Sequence, residues 1–178
     1  MLLESLYFIL PAYFANMAPV FYRNKWKKLA VPVDFGLRFR GKRLFGANKT
    51  WRGLFAAVLW GIAAVYIQVV LHEIAFFERI SLFDYTQANI ILLGSLLGLG
   101  AILGDLAESF VKRRMGIESG KPWVPFDQLD FVIGALILAS FVYLPPIPVI
   151  ITILIASPIL HLAAVFVGYL LGIRESKF

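Results

Sequence analysis

The feature that most constrains this chain is a set of apolar runs too long for the core of a small soluble domain, at roughly 1–22, 53–73, 88–110, 129–147 and 148–172. A helix needs about 20 apolar residues to cross the hydrocarbon of a bilayer, and every run is close to that length. Only 16% of the 178 residues are charged and 60% are hydrophobic, whereas an ordinary soluble domain carries about 25% charged residues. The expected fold class is all-α: a polytopic integral membrane protein with five transmembrane helices. It forms one membrane-embedded domain over 1–178, with loops at 23–52 and 111–128. The last two runs are parted only by Leu144-Pro145-Pro146-Ile147-Pro148. The first run has neither a basic leader nor a small-residue cleavage site and is read as a retained span. Five spans do not divide into two equal inverted halves, which counts against a secondary transporter. Cysteine is absent, so neither a disulfide nor a thiolate metal site is available.

Basic residues in short loops set orientation, because such loops stay in the cytoplasm. The 23–52 loop holds ten of them, Arg23, Lys25, Lys27, Lys28, Arg38, Arg40, Lys42, Arg43, Lys49 and Arg52, against the single acid Asp34. Lys112, Arg113, Arg114 and Lys121 follow the third run, and Arg174 and Lys177 follow the fifth. The other side carries Glu4, Glu73, Glu78 and Asp84 with only Arg79. The expected arrangement is a multi-pass protein of the cell membrane, N-terminus external, C-terminus cytoplasmic and active site on the cytoplasmic side. The net charge of +6 belongs to these collars. The collars lack the interleaved aromatics of a single-strand binder, so no nucleic-acid partner is expected and membrane lipids are.

Asp105 stands inside the third apolar run, where a carboxylate is costly unless paired or metal-bound. At helical spacing Asp105, Glu108, Ser109 and Lys112 share one face, and Asp127 and Asp130 open the fourth run three residues apart. Carboxylates without His or Cys suit a hard cation such as Mg²⁺. Against this, Asp105 pairing with Lys49 or Lys112 would merely tie helices together, and Asp127 alone would serve as a helix cap.

The segment Gly41–Gly53 leads into the second run. It is not a P-loop, since two residues separate Gly46 from Lys49-Thr50 and the context is membrane-helical. A glycine-bearing turn at a helix N-terminus still offers free N–H groups to a phosphate, with Lys49 and Arg52 supplying charge. Lys25, Lys27 and Lys28 are read as a membrane collar. Basic residues beside carboxylates, as in Lys112–Lys121, suit a metal–triphosphate complex. Gly94, Gly98, Gly100 and Gly104 are expected to pack helices closely. Asn16, between Pro11 and Pro19, is expected at a kink with its amide satisfied, and His72 and His161 are expected to be structural. Trp51 and Trp123 suit either a base stack or a membrane interface.

Gly104-Asp105, Ser109-Phe110-Val111-Lys112-Arg113 and Asp127-Gln128-Leu129-Asp130 together resemble the Gly-Asp, Ser-x-x-Lys-Arg and Asp-Arg-x-Asp signature of phosphatidate cytidylyltransferases. The Lys-Asp and His-Gly-Gly steps of the bacterial signature are missing and Gln128 replaces Arg. With Gly46-Ala47-Asn48-Lys49-Thr50-Trp51-Arg52-Gly53 and the small size, the likeness is to the archaeal branch of that family. The resemblance implies a CTP-dependent lipid-phosphate cytidylyltransferase of phospholipid biosynthesis that takes Mg²⁺ as cofactor. CTP and an isoprenoid ether-lipid phosphate, a glycerol phosphate with two geranylgeranyl chains, would be its substrates. It implies metal ligands Asp105 and Asp127, a catalytic set of Asp105, Lys112, Asp127 and Asp130, and substrate contacts from Asn48, Lys49, Thr50, Arg52, Ser109, Lys112 and Arg113. Alternatives are action on another lipid phosphate, or a small transporter or structural membrane protein. The Asp-Gly-x-x-Ala-Arg signature of CDP-alcohol phosphotransferases is absent. The sequence leaves open whether the chain forms a homo-oligomer.

Overall fold

Among the residues described by the computed structural model, 1–87 and 89–170, six α-helices account for nearly all regular structure. They are α1 (Leu2–Phe21), α2 (Trp51–Leu71), α3 (Ala75–Arg79), α4 (Ile90–Arg114), α5 (Phe126–Ala139) and α6 (Ile147–Leu170). Two of them, α2 with 21 residues and α4 with 25, are long and apolar enough to cross a membrane. The expected tail cations Arg174 and Lys177, and the end of the fifth run, lie outside the described residues.

The helices start where sequence chemistry favours it. Thr50 caps α2 by accepting a hydrogen bond from the Gly53 N–H, and Asn89 caps α4 by accepting one from Leu92, each satisfying an orphan amide. The span expected over 129–147 is instead a 14-residue helix that stops at Ala139. Ser140 turns back to donate to the Ile137 carbonyl, and Pro145-Pro146 cannot continue an α-helical ladder. Apolar composition runs through this stretch, so hydropathy alone does not see the break.

The central element is α4, which packs on α2 and α1 on one side and on α5 on the other, while α6 rests on α1 and α5. Small residues allow this closeness. Gly61 of α2 faces Gly94 and Gly98, and a Cβ at Gly98 would come within 2.6 Å of the Ala57 carbonyl oxygen. Across the other seam Gly100 and Gly104 meet Gly134 and the Asp130 carbonyl, leaving no room for a side chain. The expected packing role of the four glycines of α4 is met. Around this frame the outer faces stay apolar and exposed, as at Phe14, Phe55, Leu59, Ile67, Ile133 and Ile155. That is how a bundle presents itself to lipid rather than water.

Between α1 and α2 the chain makes a 3₁₀ turn at Lys27–Leu29 and a short hairpin of β1 (Arg38–Phe39) and β2 (Lys42–Arg43). The loop is organised by the one acid within it. The Asp34 side chain is fully buried. It accepts from the N–H groups of Gly36, Phe45 and Gly46 at 2.9, 3.2 and 3.3 Å, and from the Arg43 guanidinium at 2.6 Å. Burial raises its pKa, but these donors outweigh burial and hold the carboxyl below its ordinary value of 3.8. Because the folded value lies below the unfolded one, the stabilisation is fully present above that ordinary value and is lost as pH falls through the folded one. Removing the carboxylate in Asp34→Ala leaves several buried donors unmet, at about 1–3 kcal/mol. The expected result is loss of hydrogen-exchange protection at Gly36, Phe45 and Gly46. In the wild type, protection corrected for intrinsic rate should fall in acid. Unchanged protection in both would remove Asp34 from this role.

Candidate functional site

The N-terminal ends of α2 and α5, the C-terminal end of α4 and both long loops gather at one end of the bundle. They enclose a cavity of about 620 Å³. Its position follows from the loop just described. Val33 N–H donates to the Lys49 carbonyl and Trp51 N–H to that of Val31, so the backbone on both sides of Thr50 is pinned and Lys49 is held just ahead of α2.

Lys49 reaches from there to α4, placing its Nζ 2.5 and 2.6 Å from the two carboxylate oxygens of Asp105. Two turns further along α4, Lys112 lies 3.2 Å from Glu108 and 2.6 Å from Asp127 of α5. Asp127 also accepts from the Trp123 N–H, so it ties the 111–128 loop to α4. Lys112 is buried despite its charge, which is tolerable only because two carboxylates surround its ammonium. Arg113 and Lys121 add charge to the cavity wall, with Asn48, Ser109 and Ser119 as neutral polar groups.

A second set of carboxylates is drawn together by the glycine seam. Asp105, Glu108 and Asp130 each offer an oxygen within 4.8 Å of the others, because Gly104 lies directly against the backbone of Asp130. Oxygen-only donors in a half-buried cluster fit a hard divalent cation. Asp127, expected with Asp105 as a ligand, lies outside this group and partners Lys112 instead. Glu108, noticed in the sequence only for its helical face, lies inside it.

The expected substrate contacts divide. Asn48, Lys49, Ser109, Lys112 and Arg113 line the large cavity, as do Asp105 and Asp127. Thr50 lines a smaller neighbouring chamber, and Asp130 borders an apolar groove between α4 and α5. Arg52 goes elsewhere: two residues past the cap, its guanidinium turns away to the Lys25 carbonyl at 3.2 Å. Trp123 stacks on Phe126 at 4.2 Å and Trp51 lies by Phe35 and Phe55, and neither lines the large cavity. Gln128, Lys121 and His161 do line it. Gln128 was marked in the sequence only as a departure from a signature.

This fold and site define a membrane-embedded helical protein with a mixed-charge cavity at one end of its bundle. A family model described as CarS-like, CDP-archaeol synthase, matches residues 1–178, and the chain belongs to that family. Curated relatives bear the same name. One from Thermofilum pendens is 40% identical, covering 97% of this chain and 79% of its own length. One from Methanocaldococcus jannaschii is 38% identical over 98% and 96%. A solved structure described as an intramembrane enzyme for archaeal membrane lipids biosynthesis superposes with a TM-score of 0.73 at 35% identity, covering 92% of this chain and 94% of that one.

Proposed function

We propose that this chain, acting as one membrane-embedded unit, transfers CMP from CTP to the phosphate of an isoprenoid ether lipid. The products are a CDP-activated lipid and pyrophosphate. The observation that carries this is the joining of two chemistries in one cavity: Lys49, Lys112, Arg113 and Lys121 stand over carboxylates that include Asp105, Glu108 and Asp127. A lipid-headgroup collar explains the cations but not the acids, whereas a metal–triphosphate complex uses both. Membership of a family of CDP-archaeol synthases supplies the nucleotide and lipid class.

In this reaction an oxygen of the lipid phosphate attacks the α-phosphorus of CTP, a new P–O–P bond forms, and the bond to the β-phosphate oxygen breaks. The electron pair leaves with pyrophosphate. A phosphate monoester has a second pKa of about 6, so the attacking oxygen is already anionic at neutral pH and no side chain need remove a proton. Lys112, Arg113 and Lys121 bind and orient the triphosphate, and Lys49 places a positive charge at the junction of the two reactants. Asp105, Glu108 and Asp130 would hold Mg²⁺, which when bound supplies charge neutralisation on the phosphates. Asp127 positions Lys112 through their 2.6 Å contact. The lipid tails lie between helices, open to the bilayer. The ten basic residues of the 23–52 loop support a cytoplasmic position for this end of the bundle and an external N-terminus.

The test is formation of pyrophosphate and CDP-lipid by purified protein in detergent, supplied with Mg²⁺, CTP and an unsaturated ether-lipid phosphate. Turnover should require CTP and fall to background on chelation, returning with added Mg²⁺. Folded protein that turns over no lipid phosphate would overturn the proposal.

A further inference from the structure

Asn16 of α1 was expected to have a satisfied amide, yet among the described residues its half-buried carboxamide makes no hydrogen bond. A polar side chain in an apolar helix needs a partner, and its absence within the protein points to one from outside. Two cavities meet at this residue. On one side is an apolar groove of about 570 Å³ between α1 and α6, walled by Leu10, Phe14, Met17, Phe131 and Leu160. Leu10, Phe14, Met17 and Leu160 are exposed on the outer surface, so the groove opens where the bilayer would lie. On the other side is a chamber of about 210 Å³ bounded by Asn16, Thr50 and Gly53 and closed by Lys49 and Asp105. The groove and the chamber share Asn16 and Val20. The chamber and the large basic cavity share Asn48, Lys49 and Asp105.

The chamber therefore adjoins both the bilayer-facing groove and the cavity assigned to CTP, and His161 borders groove and cavity directly. The chamber has about a third of that cavity's volume, a size suited to one phosphate and its adjoining carbons. Phosphoryl-type transfer requires attacking and leaving oxygens roughly in line across the phosphorus. Two distinct cavities that meet at the Lys49–Asp105 pair leave room for that separation.

We infer that the small chamber is the acceptor-phosphate site, with the lipid tails in the α1–α6 groove. Asn16 holds the headgroup at the junction by hydrogen-bonding its oxygens. This rests on the transfer reaction proposed above and adds a specificity-determining residue on the lipid side alone.

The experiment compares wild type, Asn16→Leu and Asn16→Ser, measuring KM separately for the ether-lipid phosphate and for CTP, with CTP binding as a check on folding. Asn16→Leu should raise the lipid KM at least about tenfold while leaving the CTP KM and CTP binding unchanged. Asn16→Ser, smaller and still a donor, should recover much of the loss. A wild-type lipid KM in Asn16→Leu, or equal changes in both KM values, overturns the inference while the transfer reaction stands. If Asn16→Leu does not fold, the smaller Asn16→Ala, which cannot hydrogen-bond, decides: a lipid KM unchanged from wild type overturns the inference, and a selective rise upholds it. Absence of turnover in the wild type overturns the reaction and this inference together.

Discussion

Asp105→Asn is expected to lower kcat by about 10²–10³-fold, the scale on which a preorganised charge at a reacting centre is felt, while leaving the bundle folded. The substitution keeps the shape of the side chain but removes the charge that Lys49 contacts at 2.5 Å and that Glu108 and Asp130 adjoin. Both the cation-binding group and the position of the Lys49 ammonium would suffer. A purely structural tie between α2 and α4 predicts something else. In that case the unfolding midpoint would fall, residual turnover would track the amount of folded protein, and the swapped pair Lys49→Asp/Asp105→Lys would restore both. The expectation here is that the swapped pair recovers stability at most. Recovery of turnover as well would sink the chemical role of Asp105.

The second large effect is expected at a residue with no side chain. Gly104→Val would drive a branched side chain into the Asp130 carbonyl, and neither backbone can move without parting α4 from α5. Overpacking of this kind costs about 1–3 kcal/mol, occasionally more. Because α5 carries Asp127 and Asp130, the separation would also disperse the carboxylate group. The unfolding midpoint in detergent and the turnover should therefore fall together. Ile133→Leu, on the exposed face of α5, should alter neither. A Gly104→Val protein with wild-type midpoint and turnover would show that the seam is looser than described.

The legible part of the site was the part written in helical spacing. Asp105, Ser109 and Lys112 stand out because a polar stripe in an apolar run has few bland explanations, and the structure brings all three to one cavity. What escaped is tertiary. Glu108 joins Asp130 only through the contact of two helices, which no local pattern encodes. Asp34 reads as a lone acid in a basic loop until its four donors are seen around it. Arg52 looked equivalent to Lys49, but a cap at Thr50 lies between them, and the turn of α2 carries it to the far side of the loop. The early end of α5 was hidden because Phe141, Val142, Tyr143 and Leu144 are as apolar as a span while forming none. Asn16 reads in the sequence as a kink residue between two prolines, and the two cavities it lines exist only once α1 is packed against its neighbours.

The backbone-to-backbone seams on both flanks of α4 carry a consequence for how such a protein can diversify. The helix that carries Asp105, Glu108 and Lys112 is registered by main-chain atoms of α2 and α5, not by the interlocking of large side chains. The α1–α6 groove, by contrast, is shaped by side chains of α1, α5 and α6, such as Met17, Phe131 and Leu160. On the proposed placement of the lipid, chemistry and tail fit are carried by different side chains, with α5 contributing to both. Residues that meet the lipid chains are free to change with the membrane they serve, while the reacting geometry stays in place.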